Sequence, residues 1–167
     1  MRLFVAIELS AEARAALSAS MDYLRMNGVR GSFTHSDNLH MTLAFIGESE
    51  NADGAVAAIK RIASRPFDLA LKGHGFFGDI LWAGVKNNPV LDVLAEDVCR
   101  ELRTEGFRIE HRKFVPHITL VRGVSGMERC VRFRITEISM TVRGVSLMRS
   151  DRVDGRLVYS RVYRKTF

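Results

Sequence analysis

NLHMTLAFIG, residues 38–47, and VPHITLVRG, residues 115–123, each place a histidine, and a threonine two positions on, at the start of an otherwise apolar run. Short runs of branched and aromatic residues that end near a glycine read as β-strands, here over Leu39 to Gly47 and Pro116 to Arg122. Residues i and i+2 of a strand share a face, so His40 projects with Thr42 and His117 with Thr119, while Met41, Leu43, Ile118 and Leu120 turn toward a core. The two histidines lie 77 positions apart (117 − 40), and the same offset extends beyond them. Phe4 falls on Leu81, the helix start near Glu12 on Pro89, and Leu17 on Leu94. Both halves therefore read strand, helix, turn, strand.

Working outward, Leu3 to Leu9 is a strand, and Ser10 caps a helix whose apolar positions are Ala13, Ala16, Leu17, Met21 and Leu24. Ala55, Val56, Ile59, Ile62 and Ala63 predict a second helix closed by Pro66, with strands at Phe67 to Leu71 and Asp79 to Val85. Pro89 opens a third helix through Leu91, Leu94, Val98 and Leu102, which ends at Gly106. From Arg132 on, the runs Ile135 to Val142, Val145 to Arg149 and Leu157 to Tyr163 predict an antiparallel meander. At 167 residues, 47% hydrophobic and 26% charged with only 3 Pro, the chain can bury a core and lacks the bias of a disordered or fibrous sequence. The expected organisation is a single domain, residues 1–167, of two lobes related by a pseudo-two-fold axis.

A net charge of +6 favours a polyanionic partner such as RNA or a nucleotide phosphate. No apolar stretch approaches a membrane span, and Glu8 interrupts the opening run where a signal peptide would stay apolar. Cys99 and Cys130 have no metal-ligand spacing and read as reduced thiols, which points to the cytoplasm; no membrane contact is expected, and the expected state is a monomer.

Two imidazoles on opposite sides of one cleft suit acid and base attack on a phosphodiester. An unperturbed ring titrates near pH ~6.5, so one can accept a proton from water while the other donates one to the leaving oxygen, with hydroxyls holding the non-bridging oxygens. Such chemistry needs no cofactor and no metal. A zinc site fits less well, because no Asp, Glu or Cys lies at ligand spacing around either histidine.

HMTL and HITLVR, the opening LFVAIEL and the ILWAGV ahead of the third helix together resemble the two-histidine (2H) phosphoesterase superfamily, and within it the RNA 2′,3′-cyclic phosphodiesterases, also called 2′-5′ RNA ligases. The likeness spans Arg2 to about Ser150. It implies an α+β, bilobal, LigT-like fold, with two pseudo-symmetric antiparallel sheets flanked by helices around a central basic cleft. It also implies metal-independent opening of a 2′,3′-cyclic phosphate to a 2′-phosphate, with reversible 2′-5′ ligation in some members. Carried over by position, His40 becomes the proton donor to the departing 3′ oxygen, His117 the proton acceptor that activates water, and Thr42 and Thr119 the phosphate-holding hydroxyls. Arg122 matches the arginine that often follows the second motif. The first motif has Phe45 there, either a core residue or a ring that stacks on a base. The approach to His40, THSDNLH, lacks the proline common in relatives.

Other candidates read as structure. His35, His74 and His111 have no repeat partner and fall in loop or surface settings, and Trp82 reads as core. Arg132, Arg134, Arg143 and Arg149 read as a solvated strand face. The functional expectation is an RNA end-processing hydrolase acting on RNA or a nucleotide with a 2′,3′-cyclic phosphate. The alternatives are a non-catalytic nucleotide- or RNA-binding module using the same cleft, and an enzyme for a small cyclic phosphate outside RNA.

Overall fold

The computed structural model describes residues Met1–Phe167. In chain order the elements are β1 (Arg2–Glu8), α1 (Ala11–Met26), β2 (Arg30–Phe33), β3 (His40–Glu48), α2 (Ala52–Lys60), β4 (Phe67–Phe77), β5 (Ile80–Val85), α3 (Pro89–Thr104), β6 (His117–Ser125), β7 (Ile138–Val142), β8 (Gly144–Val153) and β9 (Arg156–Thr166), with single 3-10 turns at Ser36–Asn38 and Met127–Cys130. The strands form two antiparallel sheets, ordered β3-β1-β8-β9 and β2-β6-β5-β4-β7. The three helices start where side chains offer caps: Ser10 accepts from Ala13 N–H at 3.1 Å, Asn51 from Gly54 N–H at 2.9 Å, and Asn88 from Leu91 N–H at 3.2 Å, with Pro89 at the first helical position. Leu17 and Leu24 of α1, Ile59 of α2 and Leu91 and Leu102 of α3 join the inner residues of both sheets, among them Val5, Met41, Leu81 and Ile118, in one continuous apolar core.

Each half contains a strand pair of the same kind. β1 lies antiparallel to β3 and β5 antiparallel to β6, with a helix between the members of each pair. The gapless repeat expected from the sequence needs correction. Ala6 lies opposite Thr42 and Trp82 opposite Thr119, so β1 and β5 correspond at an offset of 76 (82 − 6), and Phe4 answers to Ile80 rather than Leu81. The helix caps Ser10 and Asn88 correspond at 78 (88 − 10), and only β3 and β6 keep 77. The connections between elements absorb these one- and two-residue changes, as surface loops do.

The remaining departures have local causes. β2 escapes hydrophobic patterning because it is four residues long, mostly exposed, and contains Gly31 at φ +147°. A side chain there would meet Val121 Cγ1 at 2.6 Å and the Arg122 carbonyl at 2.8 Å. α2 stops at Lys60, well before Pro66, and Arg61 turns to α3, where it binds Glu101 at 2.7 Å and Glu105 at 2.5 Å. The C-terminal meander is only half present. β8 and β9 form a hairpin, but β7 pairs with β4 in the other sheet, and the chain changes sheets between Arg143 and Gly144. Gly144 sits against the backbone of Lys165 with no room for a β-carbon.

Candidate active site

His40 and His117 are the first residues of β3 and β6, and these two strands, from different sheets, lie next to each other in the fold. Each ring is anchored identically by the extended segment before it. Nδ1 of His40 lies 2.6 Å from the Asn38 carbonyl, and Nδ1 of His117 lies 2.6 Å from the Val115 carbonyl. A carbonyl only accepts, so Nδ1 carries the hydrogen in both rings and Nε2 is left as the nitrogen able to exchange a proton. Nε2 of His40 lies 3.0 Å from Thr42 Oγ1, which donates to the neutral ring. The absence of proline before His40 therefore leaves the anchor unchanged: Asn38 and Val115 supply the same carbonyl.

Regular alternation would put Phe45 and Arg122, three positions past Thr42 and Thr119, on the opposite face. Both strands break that alternation at the same point. Val5 pairs with Ala44 and Ala6 with Thr42, so Leu43 is an extra residue in β3; Leu81 pairs with Val121 and Trp82 with Thr119, so Leu120 is an extra residue in β6. Each is a β-bulge, and the residues from the histidine onward show one burial sequence in both strands: half-buried His, buried Met41 or Ile118, half-buried Thr, two buried residues, then exposed Phe45 or Arg122. The bulge turns Phe45 and Arg122 back to the face that carries the imidazoles. Phe45, 50% exposed, is therefore not a core residue; its ring stands 6.1 Å from that of Phe4.

Aromatic rings that sequence reasoning missed wall both histidines. Phe4 and Tyr159 flank His40 at centroid distances of 4.9 and 5.0 Å, Tyr159 edge-on. Phe77 and Trp82 stand 4.9 and 6.0 Å from His117, Phe77 perpendicular to it. Trp82 is thus not core. It lies opposite Thr119, half-buried, with its ring over Gly75 and its indole N–H buried without an acceptor. The signal for Phe4 was available, since Arg2, Phe4, Ala6 and Glu8 alternate against Leu3, Val5 and Ile7. Tyr159 comes from β9 and carries no local signal.

Burial pushes the His40 ring below its ordinary pKa of 6.5; the hydrogen bond to Asn38 opposes this, and the charges of His117 and Arg122 add to it. The same influence shows that Arg122, from the second sheet, projects its charge onto the histidine of the first. Burial also raises the Tyr159 hydroxyl, against the nearby cations Arg122 and Arg2. A half-enclosed face with two reactive nitrogens, two hydroxyls and a guanidinium can bind an anion and move protons on it. No three His, Cys, Asp or Glu side chains converge into a group that could hold a metal ion. His35 is exposed beside Asp37, His111 is exposed, and His74 packs 5.0 Å from the Phe133 ring.

An α+β fold of two antiparallel sheets with three helices, and a matched histidine strand in each sheet, defines the class of the two-histidine phosphoesterases. The 2′-5′ RNA ligase superfamily matches residues 5–154, and the chain belongs to that family. Among curated relatives it is 34% identical to the RNA 2′,3′-cyclic phosphodiesterase of Thermotoga maritima, covering 73% of this chain and 70% of that one. It is 29% identical to the RNA 2′,3′-cyclic phosphodiesterase of Methanothermobacter thermautotrophicus, over 95% of both. With the Geobacillus stearothermophilus protein of the same description it shares 35% identity over 74% of this chain, and it spans 42% of that longer relative. Among solved structures, a protein of Thermus thermophilus superposes with a TM-score of 0.81 at 27% identity, covering 99% of this chain and 97% of that one. Escherichia coli LigT in complex with 3′-AMP superposes with a TM-score of 0.79 at 28% identity, covering 99% and 96%.

Proposed function

We propose that the protein is an RNA 2′,3′-cyclic phosphodiesterase that hydrolyses cyclic phosphate ends to 2′-phosphomonoesters, with His40 as proton donor and His117 as proton acceptor. The observation that carries this reading is the shared anchoring of the two imidazoles, each with Nδ1–H given to a carbonyl two residues upstream and Nε2 left for chemistry. Water attacks phosphorus and gives a proton to Nε2 of His117. The P–O3′ bond breaks, and Nε2–H of His40 protonates the departing O3′. The phosphate keeps its ester to O2′, and the two rings exchange protons with solvent before the next cycle. Thr42, Thr119 and Arg122 hold the charge that grows on the non-bridging oxygens, and Phe45 offers a face on which a base can stack. With a 5′-hydroxyl in place of water as the nucleophile, the same proton transfers join O5′ to phosphorus as O3′ leaves, which is 2′-5′ ligation, and the reversal of that step cleaves the 2′-5′ bond.

Burial keeps His40 neutral in the free protein, whereas a phosphate anion entering the cleft stabilises its imidazolium. Substrate therefore supplies the charge that readies the proton donor. One continuous core beneath both motif strands supports a single domain, residues 1–167, of two lobes acting together. Unpaired Cys99 and Cys130 agree with work on RNA ends in the reducing cytoplasm.

The test is incubation with a 2′,3′-cyclic nucleotide in EDTA, with the product read by phosphorus NMR. The expected product is the 2′-phosphate, and His40→Ala or His117→Ala is expected to slow its appearance at least about 100-fold. Binding without turnover would favour a non-catalytic nucleotide-binding module, and a 3′-phosphate would reverse the assigned leaving group.

A further inference from the structure

At the end of the first sheet, where β7 gives way to β8, lies a cavity of about 390 Å³ that the reaction above does not use. It is lined by Arg14 at the start of α1, Arg143 at the sheet crossover, Arg161 and Arg164 of β9, and a single carboxylate, Glu8. That carboxylate is already committed. Arg161 holds it through two bonds of 2.8 and 2.6 Å, Arg164 approaches at 3.5 Å, and buried Ser146 donates to it. Four guanidinium groups against one carboxylate leave an excess of three positive charges. Neither Arg14 nor Arg143 has an acidic partner, and the Nε–H of Arg14 is buried without an acceptor. A donor hidden from water and left unbonded is costly, and this one, beside guanidinium groups without an acidic partner, suits an oxyanion. Geometry ties the cavity to the cleft. Glu8 is the direct pair partner of His40, and the row Ala6, Ser146, Arg164 runs across the next strands on the same face, so Arg164, three strands over, begins about 15 Å from the His40 backbone at a strand spacing of about 4.8 Å. That is a reach of one or two nucleotides.

We infer that this cavity is a second phosphate subsite, which takes an internal phosphodiester of an RNA whose cyclic end occupies the histidine cleft. The inference rests on the proposed activity and narrows it, making an oligonucleotide rather than a mononucleotide the preferred substrate. Arg14→Ala and Arg143→Ala test it, since neither residue belongs to the catalytic face and the exposed Arg143 side chain contributes nothing to the core. Turnover of a 2′,3′-cyclic mononucleotide is expected to stay unchanged in both variants, while KM for a short oligonucleotide with the same end rises about tenfold, the scale of one lost charge-assisted bond. Equilibrium binding of that oligonucleotide gives a readout independent of catalysis. Each lost contact lowers the salt slope by about 0.7, so raising salt fourfold weakens a variant about 2.6-fold less than the wild type. Equal losses on mononucleotide and oligonucleotide, or unchanged oligonucleotide affinity and salt slope in both variants, overturn the subsite. So does an effect confined to inorganic phosphate, followed by phosphorus line broadening, because it assigns the cavity to a free anion. If the wild type turns over neither substrate, the proposed activity fails, and the binding arm still decides whether this cavity holds an RNA phosphate.

Discussion

Replacing Phe4 with alanine tests whether the rings around His40 are part of the site's construction or only neighbours of it. Phe4 is 2% exposed yet lies outside the main core, in a small cluster with Ala6 and Met148 on the cleft side of β1. Its ring touches three others, His40 at 4.9 Å, Tyr159 at 5.0 Å and Phe45 at 6.1 Å. Truncating a buried phenylalanine costs about 3 to 5 kcal/mol. Here the void opens toward the cleft, where water and the Tyr159 ring can fill part of it, so the lower end, about 3 kcal/mol, applies. For a chain of this length each kcal/mol moves Tm by about 2 to 4 °C, which gives a fall of about 6 to 12 °C in a thermal melt. Phe76→Ala is the control, since that ring is 43% exposed and away from His40, and its expected shift is under about 2 °C. Because Phe4 also braces the imidazole, cyclic phosphate turnover by Phe4→Ala should fall even at temperatures where the variant is fully folded, and Phe4→Leu should recover stability better than rate. A melt within about 2 °C of wild type together with unchanged turnover would refute the view that this cluster holds the His40 ring in place.

Burial lowers the His40 pKa and the charge of Arg122 adds to it, so the break in the kcat/KM profile governed by this ring is expected below the ordinary histidine value; Arg122→Gln removes that cation and should move the break to higher pH, and an unmoved break would show that the guanidinium does not reach the ring. Glu8 follows the carboxylate sign. Burial works to raise its pKa from 4.5, but hydrogen bonds from Arg161 and Ser146 outweigh it and the folded value is lowered, so its contribution is present above the unfolded pKa and is lost as pH falls through the lowered one; Glu8→Gln should flatten the dependence of Tm on pH below about 4.5. Gly144→Ala should destabilise by more than about 1 kcal/mol, or 2 to 4 °C and upward in a melt, because a β-carbon there drives into the Lys165 backbone where the start of β8 pairs with the end of β9, and a neutral result would show that the crossover can relax.

The sequence made the histidine pairs legible because strand periodicity needs only local spacing, and the family likeness supplied their partnership. Two helix starts were equally plain: Ser10 and Pro89 mark positions whose preference depends only on near neighbours. What escaped depends on distant pairing. β2 has no apolar rhythm and exists because β6 offers an open edge beside Val121 and Arg122. The run Ile138–Val142 looks like the first strand of a meander, yet its partner is β4, some 70 residues earlier, a choice that no local pattern encodes. Tyr159 reaches His40 only because β9 folds back over β8, which itself pairs with β1.

Read by alternation alone, the motif strands put Phe45 and Arg122 on the wrong face, and one extra residue in each reverses that. The bulges at Leu43 and Leu120 bury two consecutive residues, so that the His-Thr face and the position three past the threonine converge. The two lobes thus share a backbone irregularity as well as a pair of side chains, although the connections around it drifted to offsets of 76 and 78. Identical geometry with different terminal residues then divides the cleft: one strand delivers an exposed aromatic ring and the other an exposed cation whose field reaches the opposite histidine. In the proposed reaction a phosphate between the imidazoles would find its countercharge on the β6 side and a stacking surface on the β3 side, which would place the asymmetry that lets one ring give a proton while the other takes one at the sixth residue of each motif strand as well as in the histidines themselves.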